Sequence, residues 1–197
     1  MIRALLNFAR KDMDRLYLGI DVGSGSLKAV LVDDRGTPLG TAAAAYETLQ
    51  PHPGYVEQNP DDWYTAACDA VHDVLHTTCT EPTQVAGIGL SGTSHVPVML
   101  DADSRVVRPG ILWNDLRSDD QVKRLEREAG HLIAETTGNS VNCTWALPQI
   151  AWARENEPDS SKRVRHILFS KDYLAYRLTG CMAADHSSAV SSLLVDT

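Results

Sequence analysis

LYLGIDVGSGSLKAVLV, residues 16–32, is the stretch of sequence that decides the fold. Two short apolar segments, residues 16–20 and 27–32, flank a turn rich in glycine and serine, and this pattern predicts two antiparallel strands joined in a hairpin. Residues 37–46 follow a second turn and predict a third strand, although their alanines have weak strand propensity. We therefore expect a sheet that begins with three consecutive antiparallel strands.

Strand and helix patterns alternate after the hairpin. Asn59 and Pro60, followed by acidic residues, predict the start of a helix that ends near residue 78. Further strands are predicted at residues 85–90, 96–100 and 166–169, and further helices at residues 119–129, 132–136, 146–155 and 171–178. Ser170 is predicted to cap the last helix and Gly180 to end it. This order predicts an α/β domain with a mixed sheet, antiparallel hairpin strands first, flanked by helices.

Composition and charge favour small-molecule chemistry. The chain has 197 residues, 43% of them hydrophobic, which is enough for a substantial core. Its formal net charge of -8 at pH 7 opposes a nucleic-acid or anionic-membrane partner, because both require clustered Lys and Arg. The four cysteines contain no C-x-x-C pair, which predicts neither a zinc site nor a disulfide framework and fits a reducing cytoplasm. We expect a cytoplasmic protein that is able to form a homodimer.

The two ends of the sequence differ from its middle. Residues 1–15 are predicted to be an N-terminal extension, since Arg3 and Arg10 flank a short apolar stretch but no small-residue cleavage site follows. Met13 is an alternative start. Residues 16–197 are predicted to form one domain, and the closing LLVDT lacks a polar tail, so we expect truncation before a second domain.

The turn DVGSGSLK, residues 21–28, has the chemistry of a phosphate site. Small residues let backbone N–H groups approach phosphate oxygens, and the hydroxyls of Ser24 and Ser26 are further donors. Asp21 stands at the end of a strand, where one carboxylate is suited to a hydrated Mg²⁺. An ordinary hairpin turn is an equal alternative, because the turn leads into a strand, whereas Walker A loops and dinucleotide fingerprints lead into a helix.

Trp113-Asn114-Asp115 has the chemistry of a polyol site. An indole ring can stack on the C–H face of a sugar, and the amide and carboxylate can bond paired hydroxyls. The alternative from the residues alone is a core tryptophan followed by a polar helix cap.

Several segments together resemble one protein family. YLGI followed by DVGSGSLK resembles the first phosphate motif of the sugar kinase, heat-shock protein and actin superfamily. Four more segments, in order and in spacing, resemble the FGGY carbohydrate kinases and are nearest to xylulokinases: PGYVEQNPDDWY (53–64), GIGLSGTSHVPVMLD (87–101), RPGILWNDLR (108–117) and FSKDYLAYRLTG (169–180). The resemblance covers residues 16–196. A chaperone-like or actin-like ATPase shares the first motif but does not explain the others.

The resemblance implies a fold, an activity and a phosphate site. The family's fold is a pair of ribonuclease H-like domains hinged around a cleft, of which this chain resembles the first. The activity is phosphorylation of a sugar or polyol by ATP with Mg²⁺, here a ketopentose such as xylulose. The resemblance assigns a catalytic, metal-assisting role to Asp21 and contact with the nucleotide phosphates to four residues, Gly23, Ser24, Ser26 and Lys28.

The resemblance also implies a sugar site, formed by five residues: Ser94, His95, Trp113, Asn114 and Asp115. Residues 93–96 align with a Gln-Met-His-Gly segment that lines the sugar site of xylulokinases, and His95 is the retained residue. Arg117 is expected to orient the carboxylate of Asp115.

The family's general base lies in a Gly-Gly-Asp segment of the second domain, which does not occur in this sequence. We therefore expect this chain to be inactive by itself. A non-catalytic sugar-binding or regulatory remnant of such a kinase is the alternative.

Overall fold

A computed structural model describes residues 15–190 and 192–196. The expected N-terminal extension and the alternative start at Met13 lie outside the described residues, apart from residue 15. The chain divides into two compact units. The described residues of unit 1 are 15–45 and 65–91, and those of unit 2 are 46–64 and 92–196 without residue 191.

The secondary structure follows the predicted order closely. The strands are β1 (Leu16–Val22), β2 (Ser26–Val32), β3 (Pro38–Ala45), β4 (Glu57–Gln58), β5 (Val85–Gly92), β6 (Pro97–Leu100), β7 (Gly110–Ile111) and β8 (His166–Phe169). The helices are α1 (Pro60–Thr77), α2 (Asp119–Thr137), α3 (Ala146–Asn156), α4 (Pro158–Arg163), α5 (Ser170–Thr179) and α6 (His186–Val190), with a 3₁₀ turn at Pro82–Gln84. The described residues include no helix that is both long enough and apolar enough to cross a membrane.

Unit 1 is built on a four-stranded sheet with the order β3-β2-β1-β5. The pairs β1–β2 and β2–β3 are antiparallel, as the hairpin pattern predicts. Contacts between β1 and β5 advance in the same direction along both strands, since Gly87 lies against Tyr17 and Ser91 bonds Asp21. The predicted mixed sheet in an α/β fold is therefore confirmed.

One face of this sheet is buried. Its strands contribute alternate side chains, Leu16, Leu18, Ile20, Val22, Leu27, Ala29 and Leu31. Helix α1 packs close to β3, because Gly40 has no side chain: a Cβ there would lie 3.5 Å from Cγ2 of Val74 and still closer to Thr78. On the other face, the strand residues Tyr17, Asp21 and Lys28 are exposed.

Unit 2 contains two antiparallel pairs, β4–β7 and β6–β8. One of its core clusters joins these strands to α3 through buried Met99, Ile111, Trp152 and Ala153. Loops between these elements carry the residues of the predicted sugar site, so their backbone bonds decide where the side chains lie.

Two local predictions are wrong. The helices expected at residues 119–129 and 132–136 form the single helix α2, which passes through Gly130 and ends at Gly138, where the left-handed φ of 66° stops it. Ser170 does not cap α5: it is the first helical residue, and its Oγ donates a hydrogen bond to the carbonyl of Thr93. This tertiary partner replaces the local one.

Candidate functional site

The turn between β1 and β2 is tight and presents small residues to solvent. The backbone N–H of Gly23 donates to the carbonyl of Ser26 at 3.2 Å. A Cβ on Gly23 would lie 2.8 Å from that same oxygen, so the turn requires glycine at this position. Ser24 and Gly25 are exposed at its tip, and a Cβ on Gly25 would meet no atom within 4 Å.

Asp21 and Lys28 lie side by side at the start of this turn. They are paired in the register of β1 and β2, and both are exposed. Oδ1 of Asp21 accepts a hydrogen bond from Oγ of Ser91 in β5 at 2.6 Å. A carboxylate on β1 therefore has an ammonium group on one neighbouring strand, β2, and a hydroxyl on the other, β5.

These three side chains line an open depression of about 820 Å³ on the exposed face of the unit 1 sheet. Much of the remaining lining is small, including Gly19, Gly89 and Ala43. Ile20, Val30 and Leu90 complete its apolar surface. The small residues leave part of the sheet backbone accessible, so a flat ligand can approach it beside the charged groups.

Trp113 and Asn114 form the tip of a turn in unit 2. The N–H of Asp115 donates to the carbonyl of Leu112 at 3.1 Å and closes the turn. The N–H of Leu112 donates to the carbonyl of Val56 at 3.0 Å, which fixes its beginning. Trp113 is 46% exposed and Asn114 is exposed, whereas Asp115 is 1% exposed. The turn thus presents an indole and an amide to solvent, while the carboxylate that follows them is buried.

The buried carboxylate of Asp115 anchors the Trp113 turn to the rest of unit 2. Oδ2 accepts the N–H of Val56 at 2.5 Å, and Oδ1 accepts the N–H of Arg117 at 2.8 Å. The guanidinium of Arg117 also donates to both oxygens, at 2.8 to 3.0 Å. The expected contact between Arg117 and Asp115 is therefore present, and it is bidentate, the strong form of this pair.

A buried ion network continues from Arg117. Oε1 of Glu57 accepts hydrogen bonds from Arg117 and from Arg108, both at 2.6 Å, and Arg108 also bonds Glu157 at 2.8 Å. The Arg117 guanidinium lies 3.9 Å from the ring centroid of Tyr55. Burial alone would lower the pKa of Arg117, but its hydrogen bonds to Asp115 and Glu57 outweigh burial and raise the pKa. The guanidinium of Arg117 therefore stays protonated.

His95 lies in the segment before β6 with an unusual backbone. Its φ is 67°, a left-handed value that is uncommon outside glycine although histidine adopts it more readily than most residues. Its ring meets that of Trp145 edge-on, with the centroids 4.5 Å apart. Ser94 beside it is exposed, and Val96 is fully buried in the core. Residues held in such backbone conformations cluster at functional sites.

Residues 16–197 match the family model of the N-terminal domain of the FGGY family of carbohydrate kinases. The chain belongs to this family. Among the curated relatives of this FGGY chain, the xylulose kinase of Lactococcus lactis is 38% identical over 91% of the chain and that of Bacillus subtilis is 34% identical over 92%. A glycerol kinase from Thermococcus onnurineus is 28% identical over 92% of the chain.

Solved structures show the same similarity. A xyloylose kinase from Brucella ovis matches 92% of the FGGY chain and 37% of its own, with a TM-score of 0.87 and 37% identity. A xylulose kinase from Rhodospirillum rubrum matches 92% of this chain and 38% of its own, with a TM-score of 0.87 and 28% identity. The chain spans about 36% of the length of the curated xylulose kinases named above.

The structure places the predicted phosphate residues of the FGGY chain together in unit 1 and the predicted sugar residues together in unit 2. Their individual roles stay predictions. Asp115 was expected to bond a sugar hydroxyl, and the structure shows that both its oxygens already accept protein hydrogen bonds. By accepting the N–H groups of Val56 and Arg117, the carboxylate stabilises the turn that carries Trp113 and Asn114.

Three further residues are structurally prominent and were not predicted: Ser91, Glu57 and Trp145. Ser91 follows a short apolar run, but its bond to Asp21 depends on the parallel register of β1 and β5, which has no local sequence signal. Glu57 lies in a polar segment that gives no sign of its 8% exposure. Trp145 directly precedes the helix predicted at residues 146–155 and has no local signal of its contact with His95, which joins positions 50 residues apart.

Proposed function

We propose that this chain is the sugar-binding N-terminal part of an ATP-dependent carbohydrate kinase, and that the whole kinase phosphorylates a hydroxyl of a ketopentose such as xylulose. The observation that carries the proposal is the exposed Trp113-Asn114 tip above the buried Asp115–Arg117 pair. Xylulose kinases among the relatives support the choice of ketopentose, while the similar glycerol kinase makes other polyols the competing substrates.

The proposed sugar site combines a flat apolar surface with polar groups. The half-exposed indole of Trp113 is suited to the C–H face of a sugar ring or chain. The Asn114 amide and the His95 imidazole can both donate and accept hydrogen bonds, as hydroxyl groups require. Because the ion network already holds the Trp113 turn in place, the turn needs little ordering when a sugar binds. This favours affinity.

The proposed nucleotide site is the open face of unit 1. Lys28 and the exposed backbone at Ser24 and Gly25 would meet phosphate oxygens, and Ser24 and Ser26 would add hydroxyl donors. Gly23, whose N–H donates to the carbonyl of Ser26, would hold the turn in shape for this contact. Asp21 fits Mg²⁺, since its carboxylate is exposed and Oδ2 is not needed for the bond to Ser91. The metal would neutralise phosphate charge. These residues bind and orient, and the chain contributes no general base of its own.

A sugar titration tests the first half of the proposal. Xylulose, other ketoses and polyols are titrated into the purified chain while tryptophan fluorescence is recorded, and we expect a saturable response with a Kd of about 1 mM. Trp113→Ala should abolish the response and His95→Ala should weaken it. Leu132→Ala, which removes a 64% exposed side chain on α2, is the matched control. An unchanged response in both site variants would place the sugar elsewhere.

Nucleotide binding tests the second half. Calorimetry should show ATP binding that is strengthened by Mg²⁺, and Asp21→Asn should weaken the Mg²⁺-dependent part about tenfold, since one carboxylate near the metal is lost. Asp34→Asn, at an exposed aspartate of the next turn, should behave as wild type. Equal Mg²⁺ dependence in Asp21→Asn and wild type would contradict the role of Asp21.

A further inference from the structure

Gln149 is a fully buried polar side chain in the first turns of α3. It is 0% exposed. Its amide nitrogen lies 3.1 Å from the carbonyl oxygen of Cys143 and 3.4 Å from those of Thr144 and Leu112. Burying an amide is unfavourable unless it is hydrogen-bonded, so these three carbonyls account for the position of its NH₂ group.

Two of the three carbonyls belong to the peptide bonds of tryptophans, one of which, Trp113, is assigned to the proposed sugar site. The Leu112 carbonyl is joined to the nitrogen of Trp113, and the Thr144 carbonyl is joined to the nitrogen of Trp145. One amide nitrogen therefore lies next to both peptide bonds. Trp145 in turn contacts the ring of His95 edge-on at 4.5 Å.

Local bonds hold each segment by itself. Asn142 accepts the N–H of Thr144 through its side chain at 2.9 Å and that of Trp145 through its carbonyl at 3.3 Å. The Trp113 turn is closed by its own backbone bond and anchored by Asp115. Gln149 acts differently from these groups, because it connects the two segments to each other.

We infer that Gln149 is a positioning residue that holds the Trp113-Asn114 turn against the Trp145–His95 pair and so sets the spacing of the sugar site. The inference rests on the proposed function, since it assigns these side chains to the sugar. An amide NH₂ fits this role because it has two N–H donors and its three hydrogen-bond partners are carbonyl acceptors. Gln149 acts through the two tryptophan segments and does not itself touch the ligand.

The matched pair Gln149→Met and Gln121→Met tests the inference. Gln121 is also buried, at 6% exposure, and its amide nitrogen donates to Glu155 at 2.8 Å. Within the described residues, the Oε1 atoms of both glutamines are buried without a hydrogen-bond partner. Methionine keeps the length of the side chain and removes the donors, so in both variants a buried side chain loses its hydrogen bonds. Only Gln149→Met loses the connection between the two tryptophan segments.

We expect Gln149→Met to weaken ketopentose binding about tenfold, or about 1.4 kcal/mol, and Gln121→Met to stay within about twofold of wild type. The indole N–H signals of Trp113 and Trp145 in nitrogen-15 NMR spectra should shift in Gln149→Met without sugar. The signal of Trp63 should not, since its indole bonds Gln58. Gln149→Asn keeps the amide but shortens the side chain by one methylene, and it should shift the same signals. This variant tests the inference if Gln149→Met does not fold.

Two results would overturn the inference: a folded Gln149→Met variant with wild-type affinity and wild-type indole signals, or equal effects of the Gln149 and Gln121 substitutions. If the wild-type chain binds no ketopentose, the proposed function fails. The ligand-free indole signals still show whether Gln149 positions the two tryptophans.

Discussion

The 23–25 turn of unit 1 and the Trp113 turn of unit 2 both present side chains of the proposed binding sites, but the two turns are held in different ways. The first is fixed by strand register and by a glycine that allows a close backbone approach. The second stands on a buried network of carboxylates and guanidinium groups. A backbone-held turn tolerates changes to its exposed side chains, whereas a turn held by buried charges depends on every partner, because each lost partner leaves an uncompensated charge.

The largest effect is expected when the buried network is broken. Arg117→Leu removes the cation shared by Asp115 and Glu57 and should lower the free energy of unfolding by about 3–5 kcal/mol, measured by urea denaturation. Arg124→Leu breaks an exposed pair with Glu155 and should have a much smaller effect. If the two variants were equally stable, the buried network would not be what holds the Trp113 turn in place.

A smaller effect is expected at Tyr173, another buried polar group of unit 2. Burial, together with the hydrogen bond to Asp61 at 2.7 Å, raises the pKa of Tyr173 to about 12. A raised pKa in the folded state means that the stabilisation is complete below the pKa of about 10 for an unfolded tyrosine and is lost as pH rises toward 12.

The free energy of unfolding should therefore fall more steeply between pH 10 and about 12 in the wild type than in Tyr173→Phe. The difference between the two curves should reach about 2–3 kcal/mol across this window. Denaturation at a series of alkaline pH values measures both curves, and parallel curves would show that Tyr173 does not contribute to the alkaline loss of stability.

The smallest effect is expected in the backbone-held turn, where two neighbouring glycines provide an internal comparison. Gly23→Ala should lower the free energy of unfolding by about 1–3 kcal/mol, because its Cβ would approach the carbonyl of Ser26 too closely. Gly25→Ala should be nearly neutral, since its Cβ would meet open space. Thermal unfolding of both variants tests this, and equal midpoints would mean that the turn adjusts without cost.

Much of the fold was predictable because its signals are local. The hairpin of β1 and β2, the start of α1 at Pro60 and the end of α5 at Gly180 each depend on residues within a few positions of one another. The short strands β4 and β7 were missed. Each has two residues, and their pairing joins Glu57 to Ile111, a partner too distant in sequence for a periodic pattern to reveal.

The sequence by itself determined the mixed α/β fold, the tight hairpin turn and the family to which the chain belongs, because strand alternation, turn glycines and ordered motifs are written in neighbouring residues. Only the tertiary structure decided which polar groups are buried and which distant groups they bond. Asp115 supports its turn, Ser91 bonds Asp21, and Gln149 lies between the peptide bonds of two tryptophans. The contacts of Asp115 with Val56, of Ser91 with Asp21 and of Gln149 with Leu112 each join residues far apart in the chain, so they form only when the fold brings those segments together.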